Sequence, residues 1–340
     1  MGGSRSRIWS GCPGDEPAVR ITRSASAVSR RCVACCALVL AVSDDALLTE
    51  LGEMRCRITD VPLETVKPER LLTVDPIYHR GGMTTRDTRW PDGMPCWTDL
   101  GAPDVAKARE FYSDVFSWTV QPGGPETGGY SIAELNGRGV AGVGPKMGPP
   151  EAPTMWMTYL ATSDADATAV KIKGAGGQLV TEPMDIMDAG RMAVAADPAG
   201  AVFGVWQAGA FPGAQIVNEP GAMRWNEQLS RDCEGSKAFY AAIFGYEYRD
   251  MSGDGFSYAT IKVDGSDVGG IGDLHAGEPA ATPATWRVYF GAVDVDALVA
   301  RVQANGGSVI RERIDHPHGR MSTVADDQGA VFSLPFVTPR

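Results

Sequence analysis

The chain repeats itself. Gly93-Met94-Pro95-Cys96-Trp97-Thr98-Asp99-Leu100, followed by Asp104, Phe111-Tyr112 and Phe116, recurs as Ala222-Met223-Arg224-Trp225-Asn226-Glu227-Gln228, followed by Asp232, Phe239-Tyr240 and Phe244, at a constant offset of 128. Trp156-Met157-Thr158-Tyr159, Asp164-Ala165-Asp166 and Gly176-Gly177 recur at an offset of 130 as Trp286-Arg287-Val288-Tyr289, Asp294-Val295-Asp296 and Gly306-Gly307. Gly190-Arg191-Met192 and Ala201-Val202-Phe203 recur at 129 as Gly319-Arg320-Met321 and Ala330-Val331-Phe332. Three blocks in one order at a near-constant offset mark a duplication, so the two copies must share a fold. The stretch between them, 208–220, is rich in Gly and Pro and is expected to be a linker.

Each copy divides again. A strand-like run, Cys96–Leu100, leads to Asp104, which is placed to cap a helix. Val105, Ala108, Phe111-Tyr112 and Val115-Phe116 then follow helical spacing. Short strands follow at Tyr130–Leu135 and Val140–Val143. A second cycle begins at Trp156–Ala161, with a helix from about Asp164 to Lys173 ended by Gly174 or Gly176, then strands near Leu179, Arg191–Ala195 and Ala201–Trp206. The unit is a strand, a helix and about three strands, and four units fit, at roughly 93–146, 153–207, 221–274 and 283–336.

Charge divides the chain in another way. Residues 1–82 hold 11 Lys/Arg against 10 Asp/Glu, while residues 83–340 hold 20 against 32. The repeated part is strongly acidic, which argues against a nucleic-acid surface. Five of the seven cysteines lie in the first 60 residues, leaving Cys96 and Cys233 to the repeats. A disulfide framework is not expected there, and the cytoplasm is the expected compartment. Arg30-Arg31 before the apolar run Cys32–Val42 has the order of a signal peptide, but after a polar lead of about 30 residues, long for that role. That run is also too short to span a bilayer, which takes about 20 apolar residues. Cys32-x-x-Cys35-Cys36 has no second Cys/His pair at finger spacing. Residues 1–82 show no sustained period and are expected to be a disordered leader or a mis-called start, with Met83 or Met54 as the natural beginning.

The arrangement resembles the vicinal-oxygen-chelate superfamily, which holds glyoxalase I, extradiol dioxygenases and the fosfomycin- and bleomycin-resistance proteins. The resemblance rests on the leading strand, on Asp104 through Phe111-Tyr112 and Asp232 through Phe239-Tyr240, on the Gly-Gly pair after each second helix, and on Asp197-Pro198-Ala199-Gly200 before a last strand. The second copy has Asp326-Asp327-Gln328-Gly329 there, without the proline. Within the superfamily the chain is most similar to two-domain glyoxalase-like proteins of actinobacteria. The resemblance implies an α+β fold of two tandem glyoxalase-like domains, 93–207 and 221–336, each built from two βαβββ modules that form a cupped mixed sheet.

The resemblance also implies one divalent metal on the concave face, held by His, Gln or Glu on the first strand of each module and near the end of the last strand. Those positions fall here on Trp97, Met157 and Gly204 in the first copy and on Trp225, Arg287 and Ser333 in the second. None is a usual ligand for a divalent metal, so no metal ligand and no cofactor is expected; the alternative is a divalent metal at a divergent site, to which Asp99 and Glu227 would each offer one carboxylate. His316-Pro317-His318 and His275 read as turn or surface residues.

Strand alternation points Trp97, Asp99, Met157 and Tyr159 into the first cup, and Trp225, Glu227, Arg287 and Tyr289 into the second. An aromatic cup with one carboxylate suits a flat or cationic small molecule, while the same rings equally suit a plug that fills a pocket without metal. Arg287 is placed to pair with Glu227, whereas Asp99 has no evident partner. A buried Asp99 with a raised pKa would serve as a general base, which makes Asp99 and Glu227 the candidate catalytic residues. The glycines of Gly139–Gly144 and Gly269–Gly272 read as strand positions where the backbone is closely approached. The expected partner is a small-molecule ligand, with neither nucleic acid nor membrane, for a monomer or weak homodimer. Two functions stay open: a metal-free binding protein of bleomycin-resistance type that sequesters an aromatic or cationic compound, and a lyase, isomerase or dioxygenase with a divergent site.

Overall fold

A computed structural model describes residues 85–340, apart from 149–150, 254, 275–277, 279–280, 317–318 and 339–340. The readings of residues 1–82, of His275 and His318, and of the His316 side chain lie outside it. Among the described residues no helix is long and apolar enough to cross a membrane.

The first repeat forms β1 (Pro95–Ala102), α1 (Val105–Phe116), β2 (Thr119–Val120), β3 (Ser131–Leu135), β4 (Arg138–Pro145), β5 (Met155–Ala161), α2 (Ala165–Gly174), β6 (Gln178–Ile186), β7 (Gly190–Ala196) and β8 (Val202–Ala208). The second forms β9 (Met223–Ser230), α3 (Cys233–Phe244), β10 (Glu247–Asp250), β11 (Tyr258–Val263), β12 (Ser266–Asp273), β13 (Thr285–Phe290), α4 (Val295–Ala304), β14 (Ser308–His316), β15 (Gly319–Ala325) and β16 (Val331–Pro335). Each repeat makes one eight-stranded mixed sheet, in the orders β2-β3-β4-β1-β5-β8-β7-β6 and β10-β11-β12-β9-β13-β16-β15-β14. The fold is α+β, with the two modules of a repeat joined through the antiparallel pairs β1–β5 and β9–β13.

Helices α1–α4 start the same way. Asp104, Asp164, Asp232 and Asp294 each accept a hydrogen bond from the backbone N–H three residues on, satisfying a donor that the first turn leaves unpaired. Helix α1 then buries Ala108, Phe111, Tyr112, Val115 and Phe116, the stripe that the sequence spacing predicts.

The sheets follow the repeats, but the hydrophobic cores do not. Helix α1 lies against α4 of the other repeat, and α2 lies against α3. One core joins Tyr112, Phe116, Trp118 and Trp156 of the first repeat to Phe290 and Phe332 of the second, with Phe116–Phe290 centroids 5.1 Å apart and Trp156–Phe290 centroids also 5.1 Å apart. The other core sets Phe203 of the first repeat 5.4 Å from Tyr240 of the second. These tilted and edge-on contacts suit the ring quadrupoles and add to the burial of large apolar surfaces. Between the sheets, Thr158 Oγ1 donates to Asn226 Oδ1 at 2.9 Å.

The connector between the repeats is part of the structure. Ala214 N donates to Cys96 O at 2.7 Å and Gln215 N to Gly139 O at 2.8 Å, and Phe211 stands edge-on to Trp97 at 4.9 Å. The back of the sheets carries the even residues of β1: Cys96, Thr98, Leu100 and Ala102 are all buried. The odd ones, Trp97 and Asp99, therefore face the concave side.

Candidate functional site in the two cups

In the first cup, Trp97 lies opposite Tyr159 and Asp99 opposite Met157 across the β1–β5 pair. Trp97 Nε1 donates to Tyr130 Oη at 2.9 Å. Tyr130 Oη donates to Asp99 Oδ2 at 3.2 Å, and Tyr159 Oη donates to the same oxygen at 3.0 Å. Trp97 and Tyr159 are buried, whereas Met157, Asp99 and Tyr130 are partly exposed.

The second cup repeats the network. Trp225 Nε1 donates to Tyr258 Oη at 3.2 Å, Tyr258 Oη donates to Glu227 Oε1 at 2.6 Å, and Tyr289 Oη donates to Glu227 Oε2. The expected pairing of Arg287 with Glu227 is not formed. The two residues face each other across β9–β13, but the Tyr258 and Tyr289 hydroxyls occupy the Glu227 oxygens.

Each Glu227 oxygen meets one tyrosine, Oε1 with Tyr258 and Oε2 with Tyr289, the extra methylene carrying the carboxylate farther from the strand. The shorter Asp99 meets both tyrosines through Oδ2, and among the described residues Oδ1 takes no hydrogen bond. Oδ1 keeps contact with solvent, because the only buried side-chain polar atom without a partner among the described residues is Gln228 Oε1.

Burial raises the Asp99 pKa to about 6, against the lowering by the Tyr159 and Tyr130 hydrogen bonds. Tyr130 and Tyr159 are held well above the ordinary phenol range, first by burial and then by the Asp99 charge, so they remain donors.

Glycine makes room for the rings. A Cβ on Gly142 would come within 1.8 Å of Tyr130 Oη, and one on Gly204 within 2.1 Å of Tyr159 Cδ1. The glycines of β4 thus sit where the sequence reading puts a close approach, and what approaches them is a tyrosine ring.

These facts bear on a metal. At the positions implied by the resemblance stand Trp97, Met157, Gly204, Trp225, Arg287 and Ser333. A carboxylate side chain grown from Gly204 would meet the Tyr159 ring. Among the described residues no three His, Cys, Asp or Glu side chains converge as a metal site. The donor set of the cups does not fit a divalent cation.

The model of the Glyoxalase/Bleomycin resistance protein/Dioxygenase superfamily matches residues 97–205 and 213–334. The chain belongs to this superfamily. It is 40% identical over 255 residues to CFP32 of Mycobacterium tuberculosis (strain CDC 1551 / Oshkosh), provisionally named a glyoxylase, covering 73% of this chain and 96% of that protein. It is 37% identical over 261 residues to the anthracycline biosynthesis protein DauV of Streptomyces sp. (strain C5), covering 73% and 94%. Among solved superfamily structures, the Mn(II)-bound glyoxalase from Novosphingobium aromaticivorans superposes with a TM-score of 0.52 at 16% identity, over 72% of this chain and 83% of that one. The 2,2',3-trihydroxybiphenyl 1,2-dioxygenase from Sphingomonas wittichii strain RW1 gives 0.51 at 14%, over 73% and 91%. At such identities these structures carry the superfamily fold and nothing finer.

The structure brings all eight candidate residues onto the two concave faces. Sequence reasoning missed Tyr130 and Tyr258, the central members of both networks. The signal was present: each lies 33 residues after its tryptophan. Tyr130 directly precedes β3, and spacing along the chain does not tie its hydroxyl to Asp99 on β1.

Proposed function

We propose that this superfamily member binds a small molecule without a metal and sequesters it, in the manner of bleomycin-resistance proteins. The ligand is an aromatic or cationic compound, and the first cup receives it. One observation carries this reading: Asp99 Oδ1 is a solvent-reached carboxylate oxygen with neither a hydrogen bond nor a cationic partner among the described residues, at the foot of a face bearing Trp97, Met157 and Tyr159. A carboxylate in that setting favours a cation above it, and the adjacent rings favour a flat or quaternary one. The two relatives named for anthracycline biosynthesis support including an anthracycline among the probes.

The test is calorimetric titration with benzyltrimethylammonium, bleomycin and an anthracycline. Binding by the wild type that Asp99→Asn and Trp97→Ala each weaken supports the reading. No binding of any of the three, or equal binding by Asp99→Asn, overturns it. For a cationic probe the affinity should rise with pH through about 6, as Asp99 ionises.

A second reading, an enzyme of lyase, isomerase or dioxygenase type, rests on the same carboxylate. An Asp that titrates near 6 lies in the range of a general base at neutral pH. An Asp99→Asn variant that keeps ligand affinity but loses turnover would favour it.

A further inference from the structure

The two cups share a frame and differ in lining. Where the first has Met157 and Thr181, the second has Arg287 and Arg311, at the same offset of 130. Where the first has Val194 and Gly204, the second has Thr323 and Ser333, whose hydroxyls lie 3.0 Å apart. Register places this set on one face: Tyr289 is the Cα partner of Ser333, Ser333 of Thr323, and Thr323 of Arg311.

Arg287 is the unusual member. It is only 9% exposed, and its neighbours on β13, Trp286 and Val288, are in the core, so it points to the concave side. Among the described residues its guanidinium makes no hydrogen bond and no ion pair. A guanidinium so far withdrawn from water is more stable when an anion meets its N–H donors. Its nitrogens are not among the buried atoms lacking a partner, so solvent still reaches them. Beside it, Arg311 is held below its ordinary pKa by burial and by the Arg287 charge, and Arg311 Nη2 holds the Glu278 carboxylate at 3.2 Å.

We propose that the second cup is a binding site for a small organic carboxylate, with Arg287 as its anchor and Arg311 beside it. The guanidinium fork matches a carboxylate in two parallel hydrogen bonds. The charge balance favours a monoanion: Arg287 and Arg311 are already balanced by Glu227 and Glu278, so a carboxylate leaves the cup one charge from neutral and a dianion such as phosphate leaves it two. This site is separate from the first cup and does not depend on the reading given for it.

The experiment is calorimetric titration of the full chain with benzoate, with inorganic phosphate and benzylammonium as the other arms. Benzoate should bind saturably to the wild type and at least tenfold more weakly to Arg287→Gln, with Arg287→Lys between them. Arg311→Gln, a second variant in case the first fails to fold, should also weaken benzoate. Glu278→Gln should tighten it by freeing Arg311. Absence of benzoate binding, binding unchanged in a folded Arg287→Gln, or stronger binding of phosphate or benzylammonium overturns the assignment.

Discussion

Tyr112 Oη donates a hydrogen bond to Asp326 Oδ2 at 2.9 Å, joining a helix of the first repeat to the turn before the last strand of the second. Tyr240 Oη makes the same bond to Asp197 Oδ2 at 3.0 Å in the opposite sense. Each tyrosine also accepts from a tryptophan, Trp156 or Trp286. The other oxygen of each aspartate caps its own turn: Asp197 Oδ1 accepts from Ala199 N and Ala201 N, and Asp326 Oδ1 from Gln328 N and Ala330 N. The Phe-Tyr and Asp-x-x-Gly motifs that mark the superfamily in the sequence therefore serve to dock one repeat on the other.

That docking predicts the cost of its removal. Tyr112→Phe leaves Asp326 Oδ2 without a donor among the described residues, while after Tyr240→Phe Asp197 Oδ2 keeps Gln228 Nε2 at 2.9 Å; each should destabilise the protein by about 1–3 kcal/mol, Tyr112→Phe the more. The two sites lie in separate cores, so the double variant should lose the sum within about 0.5 kcal/mol. Guanidinium denaturation followed by tryptophan fluorescence measures both. Losses under about 0.5 kcal/mol would show that the bonds do not hold the repeats.

Stability should depend on pH through Asp99. Its folded pKa of about 6 lies above the ordinary 3.8. Between those values the folded state keeps a proton that the unfolded chain has lost, so this group's contribution falls as pH rises from about 4 to 6 and its cost is fully present above 6. Asp99→Asn removes the ionisation. Its stability relative to wild type should improve by about 1–3 kcal/mol between pH 4 and 7. A difference that does not vary with pH would mean that Asp99 is not desolvated.

The Tyr159 hydroxyl opposes that shift by stabilising the charged form. Tyr159→Phe should move the Asp99 titration upward from about 6, as read by carbon NMR of the side-chain carboxyl. An unchanged or lower midpoint would refute the role given to this hydrogen bond.

Restoring a carboxylate at the last-strand position should fail sterically. Gly204→Glu places a Cβ against the Tyr159 ring and should cost about 1–3 kcal/mol through overpacking. Tyr159→Ala in the same chain should recover part of that loss, because the two changes share one space. A Gly204→Glu variant as stable as wild type would show that the ring can move aside.

Much of the architecture was legible because it is encoded locally and twice. The capping aspartates, the stripe from Val105 to Phe116 and the alternation of Cys96–Leu100 are short-range patterns, and their recurrence at a fixed offset removed accidental matches. The inward face of Trp97, Asp99, Met157 and Tyr159 followed from alternation alone. Alternation does not say what a side chain touches. The Tyr130 and Tyr258 hydroxyls reach the carboxylates from a neighbouring strand pair, and the expected Arg287–Glu227 pair is absent because two phenols take the Glu227 oxygens first.

The sequence by itself determined the duplication, the superfamily fold and the lack of usual metal donors at Trp97, Met157, Gly204, Trp225, Arg287 and Ser333. Only the tertiary structure decided that the cores mix the repeats, since packing brings Tyr112 against Phe332, 220 positions along the chain. It also decided that Asp99 leaves one oxygen to solvent while both Glu227 oxygens are taken, because the extra methylene moves the carboxylate to where each oxygen meets a different tyrosine. And it decided that Arg287 is buried without a counter-ion, a property of three-dimensional surroundings that no spacing along the chain records.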